Sequence, residues 1–174
     1  MNPLIFISLI LALISSCKVN VEYETHVNER IKKEIHTTKK DTITFIIDYW
    51  DNLKIRSKVP YNSSNQMHGK AVWYHDNGSL WIEAEYYNRK KNGKFQYNYN
   101  DSTIQETAFY KMDSSNNIVK HWYTNGLLKF KYKFKLGSKV GKWQYWDEEG
   151  NLIKEEWYDK GTLLRTETYA IKEE

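Results

Sequence analysis

From residue 69 onward, short runs of apolar and polar residues alternate and are broken by Gly, Asn, Asp or Ser, and the breaks recur with a fixed step. Gly69-Lys70, Gly93-Lys94 and Gly141-Lys142 stand on a ladder of 24 residues, with Asn117-Ile118 on the remaining rung. Gly78, Ser102, Gly126 and Gly150 follow, each nine residues further on. A period of this length marks stacked supersecondary units, each too small to bury its own apolar face. Four such units cover residues 69–92, 93–116, 117–140 and 141–164.

Each unit opens on an aromatic-rich run, such as Ala71-Val72-Trp73-Tyr74 or Trp143-Gln144-Tyr145-Trp146. A turn follows, as in Asp76-Asn77-Gly78 and Thr124-Asn125-Gly126, where Asn-Gly between β-prone runs predicts a hairpin. The next strand has an aliphatic third residue (Leu80, Ile104, Leu128, Leu152) and, six residues later, a ring (Tyr86, Tyr110, Phe134, Tyr158). An even separation puts both columns on one face, so they are expected to form the inner layer. The stretch from Asn88 to Gly93 is read as the return to the next hairpin, and Thr166 to Tyr169 as a final strand over the open edge. The fold class expected is all-β: an elongated antiparallel sheet of stacked hairpins, preceded by a targeting segment and a tether.

The N-terminal residues have a different pattern. Met1 to Ser16 carries no charged side chain, and Leu4 to Ile14 is apolar except for Ser8. That run is the length of a signal-peptide core and short of the ~20 residues that span a bilayer. It ends in Leu13-Ile14-Ser15-Ser16-Cys17, which resembles a bacterial lipobox, although the usual basic residue near the start is missing. The resemblance implies a signal peptide over 1–16 and lipidation of Cys17, the only cysteine. An uncleaved anchor or an ordinary signal with an incidental thiol are the other readings. Residues 17–44 then read as a lipidated N-terminus and mobile tether with some helical content, because Val27, Ile31 and Ile35 have helical spacing. Residues 45–68 read as a degenerate opening repeat or cap. Tyr49-Trp50-Asp51-Asn52-Leu53 matches Tyr145-Trp146-Asp147 and Asn151-Leu152 if three turn residues are deleted. Residues 69–174 form the array with its capping strand.

Composition narrows the chemistry. In a chain of 174 residues, 16% are aromatic while the mean hydropathy is −0.77, a combination suited to half-wet sheets and binding surfaces. No set of acid, base and nucleophile converges in sequence, and the five His (His26, His36, His68, His75, His121) have no ligand spacing. Asp147-Glu148-Glu149 lacks the spaced oxygens of a calcium loop, and the Gly-Lys pairs precede strands instead of cradling a phosphate. The expectation is therefore a non-enzymatic protein with no metal and no cofactor.

The units Gly-Lys-x-x-Trp-Tyr-x-x-Asn-Gly-x-Leu at 69–80 and Gly-Lys-Trp-x-Tyr-Trp-x-x-x-Gly-x-Leu-x-x-Glu-x-x-Tyr at 141–158 resemble the MORN-variant repeat of bacterial proteins often labelled YwqK-type antitoxins. Ser102 and Asn117-Ile118 depart from the pattern. The resemblance implies hairpins in an elongated sheet with exposed aromatic surface that acts by binding, with toxin neutralisation as one version.

Charge offers the sharpest functional lead. The unit 117–140 holds Lys120, Lys129, Lys131, Lys133, Lys135 and Lys139 and no carboxylate. Lys129-Phe130-Lys131-Tyr132-Lys133-Phe134-Lys135 alternates strictly, so as a strand it puts four ammonium groups on one face and three rings on the other. One reading is a solvated face that discourages edge pairing and is partly neutralised by Glu155-Glu156. Another is a strip for an anionic lipid or glycan. A protein partner would instead use rings as anchors, and parity puts Trp81 and Trp157 on the outer side of the long strands, opposite Leu80 and Tyr158. Nucleic acid fits poorly, because the rings of the lysine strand are expected to point inward and the chain is expected to be exported. The expected partners are a membrane, through lipid on Cys17, and a protein, in a bacterial cell envelope at an outer membrane or cell surface.

Overall fold

A computed structural model describes residues 19–25, 31–38, 43–115 and 117–170. Among these, all regular structure is β-strand, and every pairing is antiparallel within one sheet. The strands are β1 (Val19–Thr25), β2 (Ile31–Thr38), β3 (Thr44–Tyr49), β4 (Ile55–Tyr61), β5 (Gly69–Tyr74), β6 (Leu80–Tyr87), β7 (Lys90–Asn98) and β8 (Ile104–Lys111). They continue as the two-residue β9 (Ser114–Ser115), β10 (Asn117–Trp122), β11 (Leu128–Lys135), the two-residue β12 (Ser138–Lys139), β13 (Gly141–Trp146), β14 (Leu152–Asp159) and β15 (Thr162–Thr168). Apart from β9 and β12, which extend the hairpins after β8 and β11, each strand pairs with its chain neighbours. Thirteen strands in this order at ~4.8 Å spacing make a ladder about 60 Å wide, the all-β array expected from the repeat.

Two kinds of tight turn alternate. At the first, His75 N–H donates to Ser79 O and Gly78 N–H to His75 O, and the same pair of bonds recurs at Tyr99/Ser102/Thr103, Tyr123/Gly126/Leu127 and Asp147/Gly150/Asn151. Gly78, Ser102, Gly126 and Gly150 all have positive φ, as the glycine column requires. The opening hairpin repeats this geometry at Trp50/Leu53/Lys54, with Leu53 at φ 64°. Its turn is therefore full length and displaced by one residue, so the three-residue deletion read from the sequence is not present. Trp50 stands in the column of His75, Tyr99, Tyr123 and Asp147.

The second kind is a two-residue turn with positive φ at Asn88-Arg89, Met112-Asp113, Leu136-Gly137 and Lys160-Gly161. Such pairs match the right-handed twist of the flanking strands. The return segment expected over Asn88 to Gly93 is thus mostly strand, since β7 already begins at Lys90. The tether also differs from its reading. Residues 19–25 and 31–38 are strands, and β2 pairs with β3 from Lys33↔Asp48 to Thr37↔Thr44, so no helix forms there. Residues 1–16 and Cys17 lie outside the described residues.

Apart from Ile47, which is buried on the opposite face, the most buried apolar residues lie along a central row on one face. Cross-strand partners in this row are Ile46↔Val59, Ala71↔Ala84, Ala84↔Phe95, Phe95↔Ala108, Val119↔Tyr132 and Trp143↔Glu156. Ala71, Ala84 and Ala108 are fully buried and Phe95 is 1% exposed. Alanine suits these sites because the neighbouring rings lean over it: Tyr86 and Tyr110 pack edge-on against Phe95 at 5.4 and 4.9 Å. The ring column joins this core through Tyr86, Tyr110 and Phe134. Each ring stands opposite the repeat's first residue, as in Gly69↔Tyr86 and Gly141↔Tyr158, where the absent side chain leaves it room. The aliphatic column does not join it: Ile104 is 40% exposed, and Leu80, Leu128 and Leu152 are half-buried. A register shift just before each turn carries these residues to the margin of the sheet.

Candidate functional site

In a single-layer sheet both faces are candidates, and the two differ sharply. The face that carries the central row also carries a second row of cross-strand pairs, Trp73↔Ile82, Ile82↔Tyr97, Tyr97↔Glu106, Glu106↔His121, His121↔Phe130, Phe130↔Tyr145 and Tyr145↔Lys154. We call it the ring face. Phe130 stacks on Tyr132 at 5.6 Å, Tyr132 lies 4.2 Å from Trp143, and Trp143 lies 5.1 Å from both Phe134 and Tyr158. Most of these rings are half-buried, with their rims open to solvent.

Polar groups on the ring face are few and mutually satisfied. Glu156 accepts from Tyr145 Oη at 2.6 Å, Tyr158 Oη at 2.9 Å and Lys154 Nζ at 3.0 Å. Burial works to raise the Glu156 carboxyl, but these donors outweigh it and hold the group below its ordinary range. Tyr132 is pushed up to about 12 by burial and by the charges of Glu156 and Glu106, and burial with the Glu156 hydrogen bond also raises Tyr145. The tyrosines therefore present neutral, rigid, amphipathic surface at neutral pH. His121 Nε2 lies 3.1 Å from Glu106.

The opposite face is the lysine face. β11 alternates as expected, with Phe130, Tyr132 and Phe134 on the ring face and the lysines opposite. Lys129 is drawn aside, its Nζ 4.8 Å from the Tyr123 ring and 5.2 Å from Phe130. Lys131, Lys133 and Lys135 make no ion pair among the described residues, and Lys131 stands opposite Lys120. Neutralisation by Glu155-Glu156, one reading of the sequence, does not occur. Glu155 is 5% exposed and is held by Lys142 at 3.1 Å, Gln144 at 2.8 Å and Tyr169 at 3.0 Å, while Glu156 is on the ring face. Lys120 therefore joins the strip, a neighbour that only the strand register reveals.

Trp81 and Trp157 both project from the lysine face, but the structure does not bring them together. They are six strands apart in the ladder, about 29 Å at ~4.8 Å per strand. Trp157 is half-buried between Lys142 and Arg165, whose charged groups lie 5.0 and 4.5 Å from its ring. Trp81 is 40% exposed at the turn-tip margin, beside the His75 ring at 5.6 Å.

Sequence reasoning missed the turn-tip margin. The residue that opens each tip reaches forward to the next hairpin: Trp50 Nε1 donates to Tyr74 O at 3.2 Å, Tyr99 Oη to Trp122 O at 2.9 Å and Tyr123 Oη to Trp146 O at 2.9 Å, with His75 Nε2 3.3 Å from Asn98 O. Two residues on, Asn52, Asn77 and Asn125 donate to Asp76 O, Asn100 O and Glu148 O. The sequence signal was the step of 25 residues from Leu53 to Gly78, hidden because leucine replaced the glycine. Next to Trp81 the first three tips enclose an open cleft of about 650 Å³.

Among the described residues no group of three or more His, Cys, Asp or Glu could hold a metal ion, and no helix is long and apolar enough to cross a membrane. No curated protein matches the chain. The MORN repeat variant family matches residues 67–88, which span the β5–β6 hairpin, and 139–156, which span β13, its turn and the start of β14. Over those two segments the chain is similar to that family.

Proposed function

We propose that this protein is a non-enzymatic binding module whose ring face docks a protein partner. One observation carries the reading: a single-layer sheet presents more than ten aromatic rings on one face, crossed by the Lys91, Lys139 and Lys154 side chains but covered by no second sheet or helix among the described residues. Tyrosine and tryptophan supply large, rigid contact area with polar tips, the composition of interface anchors. The MORN-variant hairpins at 67–88 and 139–156 agree with a binding role. Toxin neutralisation, implied by the resemblance to YwqK-type antitoxins, is one instance of it.

The test uses the full chain as bait in an envelope extract of the source cells, alongside a variant with Tyr97→Ser and Phe130→Ser on the ring face. A single protein retained at high salt by the parent and lost by the variant supports the reading. Retention by both places the contact elsewhere. If the captured protein is toxic when expressed alone, the antitoxin version gains its first support.

A second reading rests on a separate observation. Lys120, Lys131, Lys133 and Lys135 form a patch with no carboxylate partner among the described residues, suited to an anionic surface. The two surfaces are compatible, because they lie on opposite faces. The Leu13 to Cys17 motif further supports lipid attachment at Cys17 and a place in the bacterial envelope. Incorporation of a labelled fatty acid that disappears in Cys17→Ser is the check.

A further inference from the structure

We infer that the cleft at the first three turn tips is a subsite for a neutral carbohydrate, with Trp81 as the stacking platform. The site is independent of the protein-docking reading, since it lies at the tip margin and Trp81 projects from the lysine face.

The first argument is that the repeat does not need tryptophan at this position. Its equivalents are Arg56, Gln105, Lys129 and Ile153. Where that residue is cationic it folds over the tip aromatic: the Arg56 guanidinium lies 4.8 Å from the Trp50 ring, and Lys129 Nζ 4.8 Å from Tyr123. In this unit alone the pair is ring on ring, Trp81 against His75 at 5.6 Å, with 40% of Trp81 left open. An indole supported from one side and exposed on the other is a flat apolar platform.

The second argument is what surrounds the platform. The cleft is lined by Trp50, Asn52, His75, Asp76, Trp81 and Asn100, with Asp51, and its volume of about 650 Å³ falls within the range of small-molecule sites. The Asp76 carboxylate and the Asn100 carboxamide make no hydrogen bond or ion pair among the described residues, whereas the backbone carbonyls of both are already taken by Asn52, Asn77 and Ser79. Both side chains are thus left with their hydrogen-bonding capacity unspent beside an exposed ring.

The chemistry selects the ligand. The lining has two carboxylates and no lysine or arginine, which disfavours phosphates and sulfates. A carboxylate accepts hydroxyl hydrogens and a carboxamide both donates and accepts. A partner that offers many hydroxyls around one apolar face meets all three groups together, and that describes a pyranose ring. Asn52 is already committed on both sides, its Nδ2 to Asp76 O and its Oδ1 to Lys54 N–H, so it shapes the wall and does not bind.

The experiment titrates the full chain with a trimer of N-acetylglucosamine and with maltotriose, followed by calorimetry and by saturation transfer from the indole protons. At least one sugar is expected to bind with a dissociation constant on the order of 1 mM. Trp81→Gln copies the residue that the next unit carries at Gln105, so the sheet tolerates it, and it should weaken binding about 10-fold or more. Asn100→Ala, at an exposed position, should weaken it about 5-fold. Trp157→Phe should bind as the parent does. Absence of binding by both sugars at ~20 mM overturns the inference, as does undiminished binding by Trp81→Gln with an unchanged far-ultraviolet circular dichroism spectrum.

Discussion

The lysine face yields a prediction in which the structure changes the arithmetic. From sequence, Lys129, Lys131, Lys133 and Lys135 are equivalent, and each lysine near an anionic surface is worth about 1 kcal/mol. In the sheet Lys129 is held over the Tyr123 and Phe130 rings, so only three of the four remain free. Replacing Lys131, Lys133 and Lys135 together by Gln should then remove about 3 kcal/mol, roughly a 150-fold loss in partition onto anionic vesicles. Lys129→Gln alone should cost less than about 3-fold, since its charge already faces two rings.

Vesicle sedimentation measures this, using phosphatidylglycerol mixed with phosphatidylcholine and the chain carrying Cys17→Ser, so that no acyl anchor contributes. Binding should fade between 0.1 and 1 M salt as the Debye length drops from about 10 to about 3 Å. Folding stability supplies an internal control of opposite sign. Lys131 faces Lys120 directly across the ladder, and like charges so placed repel by about 0.2–1 kcal/mol. The triple variant should therefore be slightly more stable than the parent while binding less. Equal losses from Lys129→Gln and Lys131→Gln, or partition indifferent to salt, would refute the reasoning.

Four further outcomes follow from the packing. Phe95→Ala, at the most buried ring, should destabilise by about 3–5 kcal/mol in chemical denaturation, and in an array of nearest-neighbour units should separate the unfolding of the two halves. Gly93→Ala should cost more than Gly126→Ala: both have positive φ, but a Cβ at 93 would collide with the Glu85 side chain, whereas nothing lies within 4 Å at 126. Tyr99→Phe, which removes the Oη bond to Trp122 O, should cost about 1 kcal/mol by thermal melting. The pH profile has two limbs. The lowered Glu156 carboxyl contributes stability above its unfolded value near ~4.3, and loses it as pH falls through the lower folded value. Tyr132, neutral up to about 12 when folded, contributes stability below its unfolded value near ~10 that is lost between ~10 and ~12. Glu156→Gln should flatten the acid limb, and tyrosinate absorbance should show part of the tyrosine titrating only as the sheet opens.

The 24-residue ladder, the turn columns and the alternation of β11 were legible because each is local: a turn needs its residue where the chain bends, and a strand shows its faces with period two. What escaped was set by pairing between strands. The aliphatic column at Leu80 and its equivalents shares parity with the rings, yet a register shift at the neighbouring strand moves it to the margin, and no count along one strand reveals that shift. The two-residue turns at Met112-Asp113 and Leu136-Gly137 escaped because methionine and leucine are poor markers of positive φ and are held there by the strands on either side. Parity along each strand indicates the face of Trp81 and Trp157 but not how far apart the strands stand, and the strand order sets the two six strands apart.

The same distinction explains why the turn-tip margin is the place to look for specificity. The central row is constrained by its neighbours on both sides: at Ala71, Ala84 and Ala108 a larger residue would displace the rings above it. At the tips, backbone bonds such as His75 N–H to Ser79 O already fix the fold, and the forward bonds from Trp50, Tyr99 and Tyr123 fix the stacking. The adjoining position is left free, and it holds Arg56, Trp81, Gln105, Lys129 and Ile153 in successive units. A repeat array keeps its shape through columns that stay the same and gains a partner through those that vary. Here the varying column holds an indole at Trp81 and, two units further on, an ammonium group at Lys129 folded back on the tip aromatic, so one scaffold can change what it presents along this margin without disturbing the sheet.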